Sequence, residues 1–293
     1  MDTMLNQITK KLEEHYGEGF DIKPVTVDKI NNTSANGVSI RKSYEKISPV
    51  IYFDHLIRSD KGVDDIVNFV IDTYGKTDAR KDIIVNIDIT NYDNIKSQLF
   101  FKLINAETNE KYLKDAVYYS FLDLALVTYI QYDTYDIDTA ATVKVTKDII
   151  KTWDKTEFEV LNEAYINTFY IDKEYIFESL FDVFKAKGYD LGEDDGLLYL
   201  LSNNKGYNGA VKIYDCHIMN SISDKFGCDL IVIPSSCHEV LISPLNYSEK
   251  YIPDAISDIN AMIKEINETV VSDSDFLSNH AYIYRQDHTW DIV

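Results

Sequence analysis

The chain has 293 residues, 45% of them hydrophobic, and its 29 Lys and Arg stand against 49 Asp and Glu for a formal charge of −20. A chain this long and this apolar buries a real core without disulfides or metals, which argues against intrinsic disorder. The charge repels phosphate backbones and anionic lipid, which argues against direct binding of nucleic acid or membranes.

At the amino terminus, Leu5, Ile8, Leu12 and Tyr16 recur at helical spacing and Gly17 with Gly19 ends the pattern, predicting an amphipathic helix. Strands are predicted over 22–30 and 38–42, flanking the turn-forming run 31–37, and over 48–53. Val63, Ile66, Val67, Val70 and Tyr74 mark a second helix that stops at Gly75. Residues 79–96 read equally as strand or loop, because Ile83, Ile84, Val85, Ile87 and Ile89 are interleaved with Asn and Asp.

Residues 99–104 read as a strand, 109–115 as a short helix and 121–132 as one long apolar strand. A turn at 133–138 and a strand at 140–145 follow, then helices over 147–153, capped by Thr146, and over 157–168. Phe177, Leu180, Phe181 and Phe184 share one helical face, which is expected to be covered as core. The stretch 196–244 reads as strand, hairpin, strand, helix, strand, and its first part repeats the strand, polar turn, Ala-containing strand and short helix of 125–155. Ile256, Ile259, Ile263 and Ile266 define a helix opened by Pro253 and Asp254. A strand is expected at 281–284, and the nine residues from Arg285 read as a loose tail. The expected fold is α+β, with two packed lobes, 1–115 and 116–293, mixed or antiparallel sheets, and two strand-turn-strand-helix units in the second lobe.

Cys216, Cys228 and Cys237 are an odd set in a chain with no signal-peptide pattern and no apolar window of about 18 residues. The thiols are therefore read as reduced and the protein as cytoplasmic. Pro234-Ser-Ser-Cys-His-Glu239 lies between the apolar runs 230–233 and 240–242, as a tight connection of two strands or the bulged centre of one. On a strand, Cys237 and His238 point to opposite faces, which argues against a thiolate–imidazolium pair. Ser236 and His238 then share a face, and with Glu239 they are the candidates for hydrolytic chemistry, without a G-x-S-x-G elbow or an identifiable third orienting residue. The competing reading is structural: the serines turn or cap the backbone, and His238 or Glu239 satisfies buried amides.

No metal and no cofactor are expected. Cys216, His217, Cys228, Cys237 and His238 fit neither C-x2-4-C nor H-x3-5-H spacing. Asp133, Asp136 and Asp138 lack the glycine and glutamate of a calcium loop and, with Asp194 and Asp195, read as hairpin turns. The 22 tyrosines offer contact area at low entropy cost.

Taken in order, Ile47-Ser-Pro-Val-Ile-Tyr-Phe53, Leu122-Asp-Leu-Ala-Leu-Val127, Leu198-Tyr-Leu-Leu-Ser-Asn203, Asn208-Gly-Ala210, Ile233-Pro-Ser-Ser-Cys-His-Glu-Val240 and Leu277-Ser-Asn-His-Ala-Tyr282 resemble the landmarks of one family. It is a family of acidic bacterial proteins, catalogued as a domain of unknown function, whose best motif is PSSxHE. Its members are common in anaerobic gut bacteria near mobile elements, so the resemblance implies an accessory role in conflict or transfer and brings no catalytic residues. Cys237 stands where that pattern more often has an aliphatic residue. The expected function is a non-enzymatic protein-binding module whose acidic surface meets a basic protein partner, in the form of a mobile-element counter-defence inhibitor or nucleic-acid mimic. The alternative is a hydrolase using Ser236 and His238, with Glu239.

Overall fold

The computed structural model describes residues 2–44, 50–79, 89–132, 141–189, 198–245 and 252–293. The turn expected at 133–138, residues 80–88 of the ambiguous segment, and Asp194 with Asp195 lie outside them. Two compact units are present, Met1–Ile89 and Thr90–Val293.

In the first unit, the helix Asp2–Tyr16 precedes an antiparallel sheet of β1 (Phe20–Asp28), β2 (Ser34–Lys42) and β3 (Val50–Tyr52), with β2 central. Ile8 and Leu12, one helical turn apart, meet Ile22, Val38, Ile40 and Ile51 from the sheet and Ile66 and Val70 from the helix Val63–Ala79. Complete burial of each such side chain contributes about 1.5–3 kcal/mol. That last helix runs past Gly75, where the sequence predicts a stop. A mid-helix glycine costs only about 1 kcal/mol against alanine, and the preceding Tyr74 is buried with its ring against Tyr16 and Phe20. The β1–β2 turn is tighter than the polar run 31–37, because Asn31 and Asn32 take left-handed backbone (φ 57° and 54°) and close it. Asn36 sits inside β2, where Asp54 accepts both its main-chain and side-chain N–H at 2.7 and 2.9 Å.

Among the described residues, the second unit holds two antiparallel sheets. In one, β6 (Leu124–Tyr132) is central, with β4 (Leu99–Asn105) along one edge and β5 (Tyr118–Phe121) and β7 (Ala141–Lys144) along the other. Because β4 pairs with β6, the strand expected in the first lobe belongs to the second unit, and the division falls after Ile89 instead of at 115. The single long strand expected over 121–132 is a hairpin: Leu122 in left-handed backbone (φ 55°) and Asp123 turn the chain between β5 and β6. The Asp123 carboxylate accepts the Tyr282 hydroxyl at 2.7 Å and the Ser278 hydroxyl at 2.9 Å, while the Asn105 side-chain amide donates to the Leu277 carbonyl at 3.0 Å. These three bonds tie the first sheet to the last segment of the unit.

The other sheet runs β13-β12-β10-β11-β9-β8, from β8 (Ile176–Ser179), β9 (Tyr199–Ser202), β10 (Asp229–Pro234), β11 (Val240–Leu245), β12 (Tyr282–Tyr284) and β13 (Trp290–Ile292). The tail is not loose: β13 pairs with β12, and the Trp290 ring packs against Tyr284 and Phe121 at 4.8 and 5.4 Å. The aromatic run 177–184 does not form one covered helical face. Phe177 lies on β8, stacked on Tyr199 across the β8–β9 pair, and the short helix Leu180–Ala186 has no buried residue.

The second strand of the supposed repeat is also replaced. Gly209–Tyr214 is a 3-10 helix, entered through Asn208 at φ 56°, and every residue from Gly209 to Ile213 is buried, where a half-covered strand would alternate. The runs 125–155 and 196–227 therefore share a strand and a helix but not a unit. The cap at Thr146 is present, its hydroxyl accepting the Ile149 N–H at 3.2 Å. The next helix, Glu157–Tyr165, opens with a full capping box of Thr156 and Glu159 and continues as a π-helix over Ile166–Ile171. The buried ammonium of Lys212 ends that segment, donating to the carbonyls of Thr168 (3.0 Å) and Asp172. Among the described residues no helix is long and apolar enough to cross a membrane.

Candidate functional site

The segment 234–239 is the tight connection of a hairpin, since β10 and β11 pair up to Pro234↔Val240. Its backbone is tied on all sides. Ser236 N–H donates to the Glu239 carbonyl at 3.1 Å, Cys237 N–H to the Asp275 carbonyl at 2.8 Å, and the His238 carbonyl accepts the Ser202 hydroxyl at 2.8 Å. The Ser236 hydroxyl accepts the main-chain N–H of His238 at 3.0 Å and so turns the backbone. Its recorded partner is the main chain, not the imidazole ring.

Because the segment is a connection, the alternation of a strand does not separate Cys237 from His238. The sulfur lies 3.7 Å from Nε2 and 3.9 Å from Nδ1. Asp275, from the loop before β12, places Oδ1 at 3.3 Å from Nε2 and supplies the third residue that the sequence did not reveal. Asp275 is itself held by the Ser272 hydroxyl at 2.8 Å. The local signal in Ser272-Asp-Ser-Asp275 is that of a polar turn, and nothing in it points to His238.

The two nitrogens of His238 are both taken. Nε2 faces Asp275, and Nδ1 accepts the Asn208 main-chain N–H at 3.1 Å. The sulfur is nearly equidistant from both nitrogens, and Cys237 has no exposed surface. No free imidazole nitrogen remains to take a thiol proton. The ligand atoms of Cys237, His238 and Asp275 lie within 4.8 Å of one another. A metal on Nε2 nevertheless needs a proton on Nδ1, and that proton would point at the Asn208 N–H, where ligating histidines have an acceptor. The donor set therefore does not fit a metal ion.

The Asp275 carboxylate, and then the Cys237 sulfur, hold His238 up at about 9, and the His238 contact draws Asp275 down to about 2. The Asn208 N–H works against the first shift, because a second ring proton would face a donor. The folded value of His238 lies above its unfolded one, so its share of stability is complete below about 6.5 and is lost as pH rises through about 9. Asp275 is depressed, so its share is lost as pH falls from about 4 towards about 2. Asp275→Asn is expected to cost about 1 kcal/mol at pH 5.5, after allowance for solvent screening of a partly exposed pair, and near zero at pH 10. Urea titrations at both pH values measure this; an equal loss at both would show that the ion pair is not the source.

A second place carries exposed chemistry that the sequence reading treated only as helix. The turn of helix Tyr92–Ile95, opened by the Asn91 side chain accepting the Asp93 N–H at 3.0 Å, and several residues between Thr152 and Glu163 line a cleft of about 710 Å³. Three aromatics line it: Tyr92 and Trp153, 5.7 Å apart, and Phe158, which is 72% exposed. Of its carboxylates, Asp93 pairs with Lys96 at 2.8 Å and Glu159 with Lys155 at 3.0 Å. Lys155 also sits 5.2 Å from the centre of the Tyr92 ring. Glu163 is half-buried; its carbonyl accepts the Ile166 main-chain N–H and its charge acts on Lys96. Burial and then the charges of Glu163, Glu159 and Asp93 push the Tyr92 hydroxyl up to about 12.

A model of DUF5688, a family of unknown function, matches residues 1–286. No curated protein and no solved structure matches the chain.

Proposed function

The chain belongs to the DUF5688 family, and we propose that it is a non-enzymatic binding module for a basic protein. The observation that carries this reading is the cleft of Tyr92, Trp153 and Phe158, aromatic contact area bordered by three carboxylates against two lysines, in a chain of formal charge −20. The partner class that fits is a protein whose own basic surface serves nucleic acid, and the role that follows is inhibition of such a complex, as in mobile-element counter-defence. Capture from host lysate is the test. A basic protein retained at 50 mM salt and released at 500 mM supports the reading; no retained protein, or an apolar one indifferent to salt, defeats it.

The hydrolase reading draws on the His238–Asp275 contact. It has less support, because the Ser236 hydroxyl is engaged by the main chain and Cys237 is enclosed.

A further inference from the structure

Resting on the binding reading above, we propose that the basic partner docks through a helix laid along the outer ridge of Phe158, Ile166, Tyr170 and Ile171, bringing apolar residues one turn apart with Lys or Arg beside them. Phe158, Asn162, Ile166 and Tyr170 follow at steps of four along the helix Glu157–Tyr165 and its π-helical continuation. They form a row roughly 18 Å long, on the side away from the buried Val160, Leu161 and Ala164. Phe158 and Ile171 are each 72% exposed and Tyr170 57%. Such a row fills the groove between side chains of a second helix.

The π-helical turn is what places Ile171 on this ridge. In an α-helix it would stand three residues after Thr168 and four after Asn167, both buried, and would share their face. The wider turn instead buries Asn167, Thr168 and Phe169 in succession and turns Tyr170 and Ile171 out to solvent. It is pinned from inside: the Asn167 side-chain amide donates to the carbonyls of Lys96 (2.7 Å) and Leu99 (3.0 Å), and the Thr168 hydroxyl accepts the Phe101 N–H at 3.0 Å. The ridge is therefore set before a partner arrives, which lowers the ordering cost of association. Charge selects the partner. From Thr156 to Asp172 the chain carries Glu157, Glu159, Glu163 and Asp172 and no Lys, Arg or His. Lys155 and Lys205 pair with Glu159 and Asp172 from outside that run, and Lys96 acts on Glu163, yet the chain as a whole stays at −20. A second copy would bring the same carboxylates and the same net charge, whereas a basic helix is drawn in by both.

The experiment titrates the full chain at 50 mM salt with three blocked 18-residue peptides: one with leucines on a single helical face and lysines elsewhere, one with glutamates in place of the lysines, and one with the leucines of the first dispersed round the helix. NMR follows the methyl signals of Ile166 and Ile171. Saturable shifts with the leucine–lysine peptide, at least tenfold weaker binding of the glutamate peptide and none of the dispersed one are expected. Ile171→Ser and, separately, Phe158→Ser are each expected to weaken the first peptide at least fivefold with an unchanged thermal midpoint, since both side chains stand mostly in solvent. Shifts confined to other surfaces, equal affinity for the lysine and glutamate peptides, or parent affinity in both variants overturns the proposal. So does a concentration-dependent dimer in sedimentation that Ile171→Ser dissolves, because the occupant would then be a second copy. If the Ile171→Ser and Phe158→Ser chains capture a basic protein from lysate as well as the parent does, this inference falls and the binding reading stands. If the leucine–lysine peptide moves the ridge signals but no basic protein is captured, the binding reading falls alone.

Discussion

Gly209→Ala is expected to lower stability by about 3 kcal/mol, the upper end of what inserting a single methyl into a close-packed interior costs. A Cβ at Gly209 would lie 2.6 Å from the main-chain nitrogen of Asn203 and 2.6 Å from the carbonyl oxygen of His238, and closer still to the Ser202 hydroxyl. The serine side chain can turn away; the other two atoms are backbone of neighbouring segments and can yield only if the segments part. Gly209 is thus where the 3-10 helix Gly209–Tyr214 comes against the end of β9 and the connection 235–239. Parting them also pulls the Asn208 N–H away from Nδ1 of His238. Urea unfolding measures the loss, and the ring signals of His238 report the local displacement. A variant within 1 kcal/mol of the parent, with those signals unmoved, would contradict the packing described.

Lys212→Met is expected to cost about 2 kcal/mol. The buried ammonium is itself expensive, and burial pulls its pKa below the usual lysine value. Methionine matches the volume and removes that penalty, which alone would stabilise. What it cannot do is donate, and the carbonyls of Thr168 and Asp172 at the end of the π-helical segment would be left without their ammonium donor. Unsatisfied buried acceptors cost about 1–3 kcal/mol each, so two of them outweigh the recovered desolvation. Thermal unfolding decides the sign. A variant as stable as the parent would mean that other donors reach both carbonyls.

The parts of the fold set by neighbours in sequence were legible. The helix of Leu5, Ile8, Leu12 and Tyr16, the cap at Thr146 and the strand near Tyr282 follow from periodicity or turn chemistry, and the tight connection at 234–239 is one of the two forms the sequence allowed. The failures arise where a distant partner decides. Nothing near Leu122 announces left-handed backbone, so two strands read as one. Ala210-Val-Lys-Ile213 has strand-like composition, yet its surroundings enclose every side chain and a 3-10 turn results. Trp290–Ile292 is too short to signal a strand until β12 lies beside it. The site was hidden for the same reason. Asp275 is joined to His238 only through the loop before β12, and Phe158 and Glu163 look like the solvated face of a helix until Tyr92 stands opposite.

The hold of Ser278 and Tyr282 on Asp123 bears on how the larger unit is made on the ribosome. The hairpin tip at Asp123 leaves the exit tunnel long before its two hydroxyl partners do, and meanwhile β10 has one edge bare where β12 will pair. Vectorial synthesis therefore yields a nascent chain whose sheet stays open to other strands until residue 284 has emerged. A stall ahead of residue 277 would present chaperones with that unfinished edge.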